Sequence, residues 1–299
     1  MSGILRFVGY VLAALLTVIV LGAAGLWIRS SQTLSRRFPA EYPSVSVHSD
    51  SASVARGAHL ASAVLNCTLC HGADLGGAVY MDAGPMGVVA GANLTTGRGG
   101  VGASRSDEDL VRAIRYGIGK DSTSLILMPS EVFVHITDED LGAVLAYIRQ
   151  LPPVDREVPR SRFGVLGRLM LGAGKFNILP APKTQHLAPV AAVASAPTAQ
   201  YGKYLADVSG CHGCHGYGLS GGRVAGPPDL PPASNITPTG IGNWTEEDFA
   251  RALRTGKRRD GSTINPFMPI ETFAGMTDEE VRALWLYLRS VPPKEFGNK

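Results

Sequence analysis

The sequence predicts an all-α protein: a membrane-spanning N-terminal helix followed by two tandem copies of one small helical domain. Three observations predict it. Phe7 to Ile28 form a run of 22 uncharged, mostly apolar residues. The rest of the chain repeats itself at an offset of about 140 residues. Within each copy, Ser or Thr followed by acidic residues marks helix starts, and apolar residues recur at helical spacing. Of the 299 residues, 45% are hydrophobic, which is ample for packed cores. This composition excludes a collagen, a disulfide scaffold and a wholly disordered chain. A formal net charge of +3 is too small to argue for nucleic acid.

At about 1.5 Å per residue, the apolar run reaches across a hydrocarbon layer of roughly 30 Å. Secretory signals usually have an apolar region of only about 7–15 residues, so length favours an uncleaved anchor over residues 1–29. Gly22-Ala23-Ala24-Gly25 offers small residues for the competing reading, a cleaved signal. Arg6 precedes the run, and Arg29, Arg36 and Arg37 follow it. That count mildly favours a cytoplasmic C-terminal side. The cysteine chemistry below requires export and outweighs it.

The repeat is dense in matched positions. Cys67-Thr68-Leu69-Cys70-His71-Gly72 matches Cys211-His212-Gly213-Cys214-His215-Gly216, and Asn93-Leu94-Thr95 matches Asn235-Ile236-Thr237. Arg112, Arg115 and Gly117 match Arg251, Arg254 and Gly256; Met128-Pro129 matches Met268-Pro269. Each copy closes on a Tyr-x-Arg segment and Pro-Pro, at Tyr147 to Pro153 and Tyr287 to Pro293. The copies therefore span about 50–153 and 200–293. Ser106, Thr137, Thr245 and Thr277 read as helix N-caps, each followed by negative charge in the first turn. The acidic run Asp138 to Asp140 is thus a helix start rather than a metal site. The Gly- and Pro-rich stretches 76–102 and 218–242 read as loops. The linker, 154–199, holds six basic and two acidic residues. Its middle reads either as a basic amphipathic segment on an anionic membrane or as a connector packed over both domains. Its Ala/Pro-rich end reads as a semi-rigid spacer.

All four cysteines fall inside Cys-x-x-Cys-His, the haem c attachment signature. Cys67 and Cys70, and Cys211 and Cys214, can each add both thiols to the vinyl groups of one haem. His71 and His215 then lie under the iron as proximal ligands. A zinc site built from all four cysteines is the competing reading, and the repeat argues against it because each copy carries a full set of features. Met128 and Met268 are the methionines at matched positions, and they are the expected sixth ligands. They lie 57 and 53 residues after their histidines. Met81, Met86, Met170 and Met276 are unmatched and read as packing or loop residues. His135, near Met128, is a distant alternative ligand, and His212 reads as an exposed spacer. A backbone carbonyl near Gly84-Pro85 and Gly226-Pro227 is expected to hold each proximal imidazole. The Asn-x-Ser/Thr sequences, Asn93 and Asn235 among them, read as turns and caps.

These motifs resemble class I c-type cytochromes, and more narrowly the cytochrome c subunits of bacterial membrane-associated alcohol and aldehyde dehydrogenases. The resemblance covers both copies and part of the linker. It implies first and last helices crossing near Gly57 and Tyr147, and near Gly202 and Tyr287. It also implies electron transfer outside the cytoplasmic membrane. The nearest such subunits commonly carry three haems, whereas this chain has two attachment motifs.

The expectation is a dihaem electron relay, single-pass in the inner membrane with its haem domains on the periplasmic side. Its expected partners are a donor dehydrogenase or quinol-oxidising complex and an acceptor oxidase or cytochrome. The alternative is a haem peroxidase or gas sensor with one open iron.

Overall fold

A computed structural model describes residues 2–39, 42–188, 190–224 and 230–297. The apolar run lies within one helix, α1 (Ser2–Ser35), whose side chains are almost wholly exposed. It is long and apolar enough to cross a membrane.

The first copy contains α2 (Ser51–His59), which runs on into a wide turn over Leu60–Val64, then α3 (Cys67–His71), α4 (Asp107–Tyr116), α5 (Ser130–Phe133) and α6 (Asp138–Arg149). Between α3 and α4 sits a hairpin of β1 (Ala78–Asp82) and β2 (Gly87–Gly91), which β3 (Arg162–Phe163) of the linker extends antiparallel. This hairpin corrects the expectation of loop over 76–102. The flanking Gly clusters hid the short Val/Tyr/Met and Val/Val/Ala runs that pair. The linker then forms α7 (Val165–Gly172) and α8 (Ala181–Thr184). The second copy contains α9 (Ala199–Val208), α10 (Cys211–His215), α11 (Pro238–Ile241), α12 (Glu246–Thr255), α13 (Ile270–Phe273) and α14 (Asp278–Ser290).

The helix starts follow the caps. Ser106, Thr137, Thr245 and Thr277 each accept the backbone N–H three residues on, and three of them close a full capping box with Asp109, Asp248 or Glu280. In each copy the first and last helices cross at a glycine. A Cβ at Gly57 would lie 1.9 Å from the Ala143 carbonyl oxygen, and one at Gly202 would lie 1.9 Å from that of Ala283. Only glycine permits so close a crossing, which the Tyr147 and Tyr287 Cβ atoms also border.

One continuous core runs through both copies, joining Leu60, Val64, Leu141 and Leu145 to Leu205, Val281, Leu284 and Leu288. The contact is pseudo-symmetric. Arg56 and His59 of the first copy occupy the positions of Tyr201 and Tyr204 in the second, and Asp140 that of Glu280. Arg56 grips Asp140 through two bonds of 3.0 and 3.1 Å, reaches Glu280 at 3.2 Å and donates to the Tyr201 hydroxyl at 3.0 Å. His59 lies 2.7 Å from Glu280, and the Tyr204 hydroxyl donates to Asp140 at 2.6 Å, each bond crossing to the other copy.

The middle of the linker packs on the first copy and on α1, while near its end Ser195 bonds the Tyr201 hydroxyl of the second copy. Arg168 of α7 stacks over the Trp27 ring at 4.1 Å and donates to Ser30 and Ser31. Gly172 allows α7 to approach the Leu26 carbonyl.

Candidate functional site

Each Cys-x-x-Cys-His segment is a single helical turn between two special backbone positions. Asn66 (φ 57°) and Gly210 (φ 76°) enter it left-handed, and Gly72 (φ 80°) and Gly216 (φ 78°) leave it in a conformation that glycine alone adopts readily. The sixth residue of the motif is thereby explained. Burial pushes the Cys67 and Cys211 thiols up to about 12, so both are neutral.

His71 donates from Nδ1 to the Ala92 carbonyl at 2.8 Å, and His215 to the Ser234 carbonyl at 2.7 Å. The proton is thus fixed on Nδ1 and the lone pair on Nε2, as a ligand imidazole requires. These acceptors correct the expectation of a carbonyl near Gly84-Pro85; Gly226-Pro227 lies outside the described residues. The structural reason is an Asn-x-Thr buckle. Asn93, fully buried, accepts from Thr95 N–H and Oγ at 2.9 and 2.8 Å, and donates to the Val154 and Arg156 carbonyls. Asn235 does the same with Thr237 and Lys294. The buckle ties the segment after Pro-Pro to the loop bearing the acceptor carbonyl. The repeated Asn-x-Thr was the sequence signal for it.

In the second copy Cys211, His215 and Met268 line one cavity of about 630 Å³, walled by Trp244, Phe249, Leu253 and Leu284. This volume sits within the roughly 300–1,000 Å³ common for ligand pockets. Met276 also lines it, and Ile136 holds its place in the first copy, as suits a wall residue. In the first copy Cys67, Met128, Leu94 and Ile114 pack on the same core. The donor set fits a haem: paired thiols for covalent attachment, one oriented imidazole, a thioether sulfur and an apolar wall. Among the described residues, no group of three or more His, Cys, Asp or Glu is placed to hold a metal ion.

Burial holds the half-buried His135 imidazole below its ordinary pKa, and Asp207, Lys203 and His212 of the second copy act on its charge. His212 is not an exposed spacer. Its Nε2 meets Asp207 at 3.0 Å and its ring stacks on Tyr217.

The cytochrome c family model matches residues 54–152 and 199–292, well over half of the chain. The fructose dehydrogenase cytochrome subunit of Gluconobacter japonicus is 28% identical over 94% of this chain and 59% of its own length. The alcohol dehydrogenase (quinone) cytochrome c subunit of Gluconobacter oxydans (strain 621H) is 45% identical over 22% of this chain and 15% of its own. The gluconate 2-dehydrogenase cytochrome c subunit of Pantoea cypripedii is 39% identical over 22% and 16%. The chain therefore spans at most 59% of the length of these relatives. With the twofold family match, the attachment turns and the oriented histidines together, the chain belongs to the cytochrome c family.

Proposed function

We propose that this chain is a membrane-anchored dihaem cytochrome c that relays electrons from a dehydrogenase or quinol donor to a respiratory acceptor. The carrying observation is the repeated site: two attachment turns, each with a histidine whose Nδ1 is pinned to a carbonyl. Cys67 and Cys70 would hold one haem covalently, between His71 and Met128. Cys211 and Cys214 would hold the second, between His215 and Met268. A haem iron so ligated supplies a one-electron couple with no open coordination position. The protein's own residues orient the imidazoles, dry the pocket with core side chains and hold the two copies in fixed contact.

We assign residues 1–29 to the anchor, 50–153 and 200–293 to the haem domains, and 154–199 to the linker, with the haem domains outside the cytoplasmic membrane. The helix length of α1 and the Trp27–Arg168 contact at its end support the anchor. Relatives named as dehydrogenase cytochrome subunits support a dehydrogenase as donor. The alternative is a haem enzyme or sensor with one open iron, which draws on His135 as a switchable ligand.

Potentiometric titration of the detergent-solubilised chain, with a peroxide turnover assay beside it, tests the reading. Two one-electron haem transitions without turnover are expected. Rapid peroxide consumption would replace a relay with an enzyme.

A further inference from the structure

The two copies differ on the loop that leads to the methionine. In the first copy this loop, 118–128, is covered. Phe38 N–H donates to the Ser122 carbonyl, Arg37 to that of Asp121, and Leu127 N–H to that of Ile178. The Ala181 N–H donates to Ser124, and Thr184 to the Tyr116 carbonyl. Beneath this cover lies a small second core of Phe38, Tyr116, Ile118, Val134 and Ala181, with Tyr42 stacked on Tyr116 at 4.0 Å.

The second copy has the same turn: Gly117 and Gly256 both have φ near 65°, and Ile118 pairs with Ser124 as Lys257 pairs with Thr263. The side chains there have changed character. Tyr116, Ile118 and Val134 become Thr255, Lys257 and Ala274, and Gly119-Lys120 becomes Arg258-Arg259. No cover lies on this loop among the described residues, and residues 259–263 and 265–267 are exposed. Arg258 and Arg259 line the cavity that holds Cys211, His215 and Met268. Phe267, next to Met268, is 49% exposed, and Tyr217, two residues after His215, is 90% exposed. The nearby acids are Asp248, 3.6 Å from Arg259, Asp260 and Glu271.

Resting on the electron-relay reading, we infer that the second copy's loop 257–267 is the docking surface for a soluble one-electron redox protein with a carboxylate-rich face. Lys257, Arg258 and Arg259 steer it, and Phe267 forms the apolar centre of a small, transient contact. The first copy has no such role, because its matching loop is closed against the segments that lead to the anchor. One electron crosses at the contact, with no atom or proton transferred.

The test is stopped-flow oxidation of the reduced full-length chain by hexacyanoferrate(III), at low salt (about 0.01 M) and at about 1 M. Lys257→Glu/Arg258→Glu/Arg259→Glu should slow the low-salt rate by about tenfold or more, and high salt should erase the difference. Hexaammineruthenium(III), a cation, should respond in the opposite sense. Lys120→Glu/Lys183→Glu, on the first copy, should change either rate by less than about twofold. Poly-L-glutamate should inhibit the wild type and spare the triple variant. If the triple variant binds one haem fewer, Lys257→Gln/Arg258→Gln/Arg259→Gln gives the same reading with a smaller slowing. Equal effects from both copies, or no effect from the triple variant, overturns the inference. So does loss of self-association in the triple variant at an unchanged rate, which would make the loop a contact between copies. A wild-type chain without haem would instead defeat the relay reading.

Discussion

Replacing Arg56 by Met probes the contact between copies. Among the described residues, Arg56 alone pairs with both Asp140 and Glu280, and His59 pairs with Glu280 only. Asp140 is 8% exposed and Glu280 2%, so their charges cannot be passed to water. Removing one partner of a buried ion pair typically costs about 3–5 kcal/mol, chiefly through the charge left behind. The Arg56 side chain is 27% exposed, which screens part of the interaction. The expected loss is therefore about 2–4 kcal/mol at neutral pH. Urea denaturation of the haem-loaded chain in mild detergent, followed by far-ultraviolet circular dichroism, should show a lower midpoint at unchanged slope. Adding Asp140→Asn and Glu280→Gln should recover more than about 1 kcal/mol, because the orphaned charges are gone. A loss under about 0.5 kcal/mol, or no recovery, would refute the reasoning.

The remaining predictions use other residues. Burial raises the Glu280 pKa, but bonds from His59 and Thr277 and the charge of Arg56 outweigh it, leaving Glu280 below its ordinary 4.5. Its contribution is complete above that value and fades as pH falls through the depressed one, so melting temperature should drop on the acid side and less steeply in Glu280→Gln. Gly202→Ala should lose about 1–3 kcal/mol in urea, since the new methyl meets the Ala283 carbonyl of α14; a gain would mean the crossing can spread. Asn93→Ala should lose about 2–3 kcal/mol, measured the same way, by stranding buried backbone groups of Thr95 and Val154. Met128→Leu and Met268→Leu should each fold and make about half of the haem responsive to carbon monoxide in absorption spectra.

What the sequence made legible was local. The Cys-x-x-Cys-His turns and the Ser/Thr caps each act within a few residues, so pattern alone placed them. The crossing glycines came from resemblance, and their close approach gives the reason. The carbonyl partners of His71 and His215 were missed because they lie 21 and 19 residues away, fixed by a buckle to the far end of the domain. The hairpin was missed because glycines bracket short strands that show only once β1 and β2 pair. Arg56 and Glu280 meet across 224 residues, and no periodicity carries such a contact. The difference between Ile118 and Lys257 was visible in the repeat, yet its meaning needed the cover over Ile118.

The most direct test of the account is the absorption spectrum of the reduced, purified full-length chain with and without carbon monoxide, after acid–acetone extraction has shown whether haem is covalently retained. The account predicts two retained low-spin haems whose spectrum carbon monoxide leaves unchanged. Extractable or absent haem would contradict covalent attachment at Cys67, Cys70, Cys211 and Cys214. A carbon monoxide shift on half the haem would contradict ligation by both Met128 and Met268.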